Sequence, residues 1–176
     1  MSKAVVVVDM INEFVTGKFG SARAGKIIPA VSLLCDRART GGAPVFYVRD
    51  AHQPGDPELK LWGKHAMAGT HASEIVSALS PRPGDIVFDK RQYSAFPATG
   101  LDGALRDRGV SAIYFGGIST DICVQHNVAD AFFRGYRTYV VRECVESLDA
   151  RAKNTSLKYM ESIYGTKIVE LERVRF

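Results

Sequence analysis

The chain has 176 residues, 46% apolar and 24% charged, with a formal net charge of +4. That length suits one domain with a sizeable core, spanning 1–176, and the composition is that of an ordinary globular protein. No apolar run approaches the length of a membrane span, and the lysines and arginines are too scattered to make a nucleic-acid surface.

The first apolar run, "AVVVV" over 4–8, reads as a strand buried on both faces, and it ends directly in Asp9. It is too short for a signal peptide, so a cytoplasmic location is expected. A helix is expected over 28–40, with Cys35 on its apolar face and the glycines of "RTGGAP" as its stop. The second strand, "PVFYV" (44–48), is followed after one residue by Asp50. Residues 49–71, "RDAHQPGDPELKLWGKHAMAGTH", form the longest irregular stretch, and a loop that long in a compact domain is usually functional. A helix over 72–79 leads to the strand "DIVF" (85–88), after which come Asp89 and Lys90. Further helices are expected over 100–109, 121–134 and 149–163, alternating with the strands "AIYF" (112–115), "TYVV" (138–141) and "KIVEL" (167–171). This alternation predicts an α/β fold, a three-layer α-β-α sandwich with a six-stranded, mainly parallel sheet.

Three cysteines without a CxxC spacing argue against a disulfide framework or a cysteine-rich zinc site. In "GGISTDICV" the spacing puts Ser119 and Thr120 at a helix N-cap and Cys123 in the first helical turn, where free N–H groups and the helix dipole favour thiolate. A lone cysteine also reads as a small buried hydrophobe. The address of the polar residues adds weight. Ligands of open α/β sheets bind outside the carboxyl ends of the strands, and Asp9, Asp50, Lys90 and Cys123 all follow strand ends. Asp9 reads as a base for the thiol or as a turn cap. Lys90 reads as a charge that favours thiolate or as a solvated loop residue. His126, three residues past Cys123, is a competing base.

The stretches "VVVVDMINEF", "DKRQYSAFPATGLDGALR" and "GGISTDICVQHNVADAFFRGY" resemble the isochorismatase-like cysteine hydrolases, the superfamily that contains the nicotinamidases, from about residue 4 to about residue 150. The resemblance implies a catalytic triad of Asp9, Lys90 and Cys123. It also implies a cis peptide before Ser119, and an oxyanion hole made by the backbone N–H groups of Ser119 and Cys123. Members with isochorismatase activity usually lack the cysteine, so its presence implies the amide-cleaving branch. The loop looks like the nicotinamidase pattern of Asp-x-His followed by Trp-x-x-His. That pattern implies that Asp50, His52 and His65 hold a divalent metal (zinc first, iron or manganese next), with His71 a rival to His65, and that Phe14 and Trp62 enclose the substrate ring. Two departures bear on the substrate: Ile11-Asn12-Glu13-Phe14 stands where nicotinamidases usually carry Gln-Asn-Asp-Phe, and Gly63 replaces the usual proline. The implied reaction is hydrolysis of nicotinamide to nicotinate and ammonia through a thioester, a step of NAD salvage. The alternatives are a metal-independent hydrolase of another small amide or carbamoyl compound, and a catalytically silent small-molecule binding protein. A small-molecule substrate and a homo-oligomer are expected, without nucleic-acid or membrane partners.

Overall fold

Each expected apolar run becomes a strand of one sheet in the computed structural model, which describes residues 2–176. The strands are β1 (Ser2–Val8), β2 (Val45–Asp50), β3 (Ile86–Lys90), β4 (Val110–Ile118), β5 (Arg137–Glu146) and β6 (Lys167–Val169). Their order is β3-β2-β1-β4-β5-β6, and every neighbouring pair is parallel. β4 and β5 run past their apolar segments to Ile118 and Glu146, with a register shift between Phe115 and Gly117 where the side-chain pattern loses its continuity. At the other extreme only three residues of "KIVEL" pair, and a 3₁₀ turn begins at Leu171.

The helices are α1 (Asn12–Val15), α2 (Ala22–Lys26), α3 (Ile28–Thr40), α4 (Glu58–Trp62), α5 (Leu101–Asp107), α6 (Gln125–Phe133) and α7 (Ala150–Tyr164). The helix expected over 72–79 does not form. In its place stand two 3₁₀ turns, His71–Ser73 and Ser77–Leu79. The segment between them is drawn out against the chain leaving β1: Ile75 pairs with Ile11, Asn12 N–H donates to the Glu74 carbonyl (2.9 Å), and Val76 N–H donates to that of Met10 (3.0 Å). Those backbone groups cannot also close helical turns.

Successive residues of β1 point to opposite faces. Ala4, Val6 and Val8 pack with Leu101, Leu105, Val128, Leu157 and Met160 of α5, α6 and α7. Val5 and Val7 pack with Val31, Leu34, Cys35 and Ala38 of α3. The result is three layers with β1 at the centre, flanked by β2 and β4. Strand order reverses at that point, so the connections after β1 and β4 leave toward opposite sides and open a crevice at the carboxyl ends. β1 and β4 approach closely there. Gly117 has φ of +115°, and a Cβ on it would lie 1.9 Å from the carbonyl oxygen of Val8. No helix among the described residues is long and apolar enough to cross a membrane.

Candidate active site

Four strand ends deliver the polar residues to this crevice. Asp9 follows β1 in a left-handed conformation (φ 52°), which turns its carboxylate over the end of β2. Its Oδ1 accepts a hydrogen bond from Asp50 N–H at 2.7 Å, and its Oδ2 lies 2.7 Å from Lys90 Nζ. Lys90, the last residue of β3, also pairs with Asp50 Oδ1, and its Nζ is 3.7 Å from Cys123 Sγ. All four side chains are buried. Cys123 sits in a wide π-type turn, Thr120–Val124, between β4 and α6, where Val124 N–H donates to the Ser119 carbonyl (3.1 Å). The Ile118–Ser119 peptide is cis.

Two expectations about this turn fail. Neither Ser119 nor Thr120 caps it with a side chain; Ser119 Oγ instead donates to Asp121 Oδ1 (2.7 Å), an atom shared with Ser147 Oγ (2.6 Å). Nor is the thiolate favoured. Burial pushes the Cys123 thiol well above its ordinary value, and Asp9 and Asp50 add to the rise that Lys90 opposes. Burial, then the charge of Asp50, raises Asp9 to about 6, with Lys90 pulling the other way. Burial opposes the Lys90 ammonium, but the two carboxylates outweigh it and hold Lys90 well above its usual value. At neutral pH the group therefore rests as a thiol, an ionised Asp9 and an ammonium. His126 is not brought in. It stands exposed on α6, with Nδ1 2.7 Å from the Ile122 carbonyl and its ring against Tyr93.

A second buried cluster adjoins the first. Asp50, His52, Glu58 and His65 each offer a ligand atom within 4.8 Å of the others. His52 Nδ1 is 3.1 Å from Asp56 Oδ2. His52 Nε2 then faces Asp50 Oδ2 (3.6 Å) and Glu58 Oε2 (3.7 Å) with no hydrogen-bond partner. His65 Nδ1 is held on the Gly63 carbonyl (2.8 Å), leaving its Nε2 free. A buried, partnerless imidazole nitrogen beside two carboxylates and a second imidazole suits a divalent cation. Glu58 was not read from the sequence. Its only signal there is an acid inside the loop that carries the Asp-x-His pair. His71 does not join: its side chain is 83% exposed and bonds Glu74.

Cys123 and the second cluster open into one cleft walled by Phe14, Phe19, Trp62, Tyr93, Ile118 and Leu148. Trp62 Nε1 donates to Tyr93 Oη (3.0 Å), and Phe19 meets the indole edge-on. Phe19 and Tyr93 were likewise not read from the sequence. Lys18 Nζ lies 4.8 Å from the Phe19 ring centroid and donates to the Trp62 carbonyl (2.9 Å), so a cation stands at the aromatic wall.

Residues 3–172 match the isochorismatase domain. The chain is similar to the N-carbamoylsarcosine amidase of Thermoplasma acidophilum, at 37% identity and a TM-score of 0.94, with 100% of both chains covered. The pyrazinamidase/nicotinamidase of Streptococcus mutans UA159 is 32% identical with a TM-score of 0.90, over 96% of this chain and 100% of that one. The pyrazinamidase of Pyrococcus horikoshii, solved in complex with zinc, is 27% identical with a TM-score of 0.89, over 97% and 99% of the two chains.

Proposed function

This chain belongs to the isochorismatase family, and from that premise we propose that it is a nicotinamidase, a cysteine amidohydrolase that cleaves nicotinamide to nicotinate and ammonia. The observation that carries the reading is the cleft. Phe14, Phe19, Trp62 and Tyr93 wall it, and it joins a buried thiol to a four-residue group of metal-ligand type. A flat, neutral heteroaromatic amide matches those walls.

In this reading Asp9 takes the Cys123 proton as Sγ adds to the carboxamide carbon. The N–H groups of Ser119 and Cys123 receive the oxyanion; one such donor is worth about 10²–10³ in rate. The C–N bond breaks as Asp9 returns the proton to nitrogen, ammonia leaves, and a thioester remains. Asp9 then takes a proton from water as its oxygen attacks the thioester carbon. The C–S bond breaks as Asp9 passes that proton to sulfur, and nicotinic acid departs, giving its own proton to the released ammonia or to solvent as nicotinate. Lys90 stays protonated throughout and holds both carboxylates in place. Phe14 and Trp62 enclose the ring. A divalent ion on Asp50, His52, Glu58 and His65, with zinc the first candidate and iron or manganese next, would supply an anchor for the ring nitrogen.

The likeness to N-carbamoylsarcosine amidase favours a second reading, hydrolysis of a carbamoyl compound without metal. Ammonia release measured over nicotinamide, pyrazinamide and carbamoyl amino acids, with and without a strong chelator, separates the two. Nicotinamide turnover that falls on chelation is the expected result. Turnover of the carbamoyl compounds alone, indifferent to chelator, transfers the assignment to the second reading.

A further inference from the structure

Lys90 and Arg91 are neighbours in sequence with opposite fates. Lys90 ends β3 and turns inward, while the Arg91 side chain is 54% exposed and reaches Asp56 in the long loop. Its Nε lies 3.0 Å from Asp56 Oδ1, and its Nη2 closes a second contact on the same carboxylate. Asp56 itself is buried. It accepts from Gln53 N–H (2.9 Å) and lies 3.1 Å from His52 Nδ1. The Arg91 guanidinium thus grips the Asp56 carboxylate through two of its nitrogens.

The neutral imidazole of His52 carries one proton and has two places to put it. On the Nε2 side, Asp50 and Glu58 both attract a proton. A proton there would remove the lone pair a metal needs. On the Nδ1 side stands Asp56 alone. We propose that Asp56, clamped by Arg91, is a positioning residue that keeps the His52 proton on Nδ1 and aims the bare Nε2 at Asp50, Glu58 and His65, so that it sets the affinity of the site for a divalent cation. The inference rests on the metal reading given under the proposed function. Carboxylates behind a ligating histidine are worth about 10–100-fold in metal affinity.

The test uses the full chain and zinc alone, titrated against a chromophoric chelator. Asp56→Ala should weaken zinc binding 10–100-fold. Arg91→Ala should weaken it less, and Asp56→Asn, which keeps an acceptor of the same size, should recover part of the loss. In the metal-free protein, ¹⁵N shifts of His52 at a pH where the ring is neutral should report Nδ1–H in the wild type and Nε2–H in Asp56→Ala, a change that a merely structural role would not produce. Circular dichroism of the zinc-free variants checks the fold. If Asp56→Ala does not fold, Asp56→Asn and Arg91→Ala carry the comparison. Stoichiometric zinc on the wild type, with affinity unchanged within twofold in Asp56→Ala and the same tautomer, overturns the inference and leaves the metal reading standing. A wild-type protein that takes up no zinc overturns both.

Discussion

Two carboxylates share one buried ammonium beside the thiol, and that arrangement decides what each residue does. Because burial raises Asp9 to about 6, its base form prevails at neutral pH and is lost as pH falls through that value. The rate of amide hydrolysis, as kcat/KM, should therefore drop about tenfold per pH unit below roughly pH 6. Asp9→Asn should remove this limb along with several orders of magnitude of rate; a limb that survives in Asp9→Asn belongs to another group. Cys123→Ala should abolish turnover in a folded protein, and residual activity there would exclude the thioester. Lys90→Met leaves Asp9 and Asp50 buried without their cation, and urea unfolding should register a loss of about 3–5 kcal/mol. Asp9, Lys90 and Cys123 were legible in the sequence because each follows an apolar strand, and strand ends of α/β sheets make the ligand rim. The protonation of Cys123 was not legible. It depends on burial and on Asp50, which comes from another strand, and both are properties of the assembled sheet.

At the scale of elements, the turn that carries Cys123 is secured by a residue outside the cleft. Asn127, fully buried on α6, donates to the carbonyls of Cys123 (2.8 Å) and Tyr93 (3.1 Å) and accepts from Ala95 N–H (3.0 Å). It thus ties the segment after β3 to the first turns after β4, and through Tyr93 it supports the Trp62 wall. Asn127→Ala strands the backbone groups of buried Cys123 and Ala95, each worth about 1–3 kcal/mol when unpaired, and frees that of half-buried Tyr93. The expected result is a clear fall in the denaturation midpoint, with kcat for the amide falling as the Cys123 turn loosens and KM rising as the Tyr93–Trp62 wall does. Where the sequence failed at this scale, tertiary pairing had overridden a local pattern. Residues 72–79 have helix-compatible spacing, but the chain beyond β1 takes their backbone groups first. Residues 58–62 formed a helix that loop composition concealed, and so Glu58 went unread.

Across the whole molecule, the reactive group draws on residues 9, 50, 90 and 123, and the metal-type cluster on the loop between β2 and β3. His65→Ala should lose bound metal in elemental analysis and raise KM for nicotinamide, whereas His71→Ala should do neither. The six strands and their parallel sense were readable from apolar runs and intervening helices, but the neighbour order was not, since periodicity carries no information on which strands lie side by side. That order has a consequence for how the chain comes into being. β1 pairs with β2 on one edge and with β4, more than a hundred residues later, on the other. A chain emerging from the ribosome thus carries a bare strand edge, open to mispairing, until β4 is made. The same docking event brings Cys123 to Asp9 and Lys90. Covering of the β1 edge and the onset of enzymatic competence are then one step, and in refolding the β1 amides that face β4, unlike those of Val5 and Asp9 that bond the β2 side, should gain protection from hydrogen exchange with the same time course as activity returns.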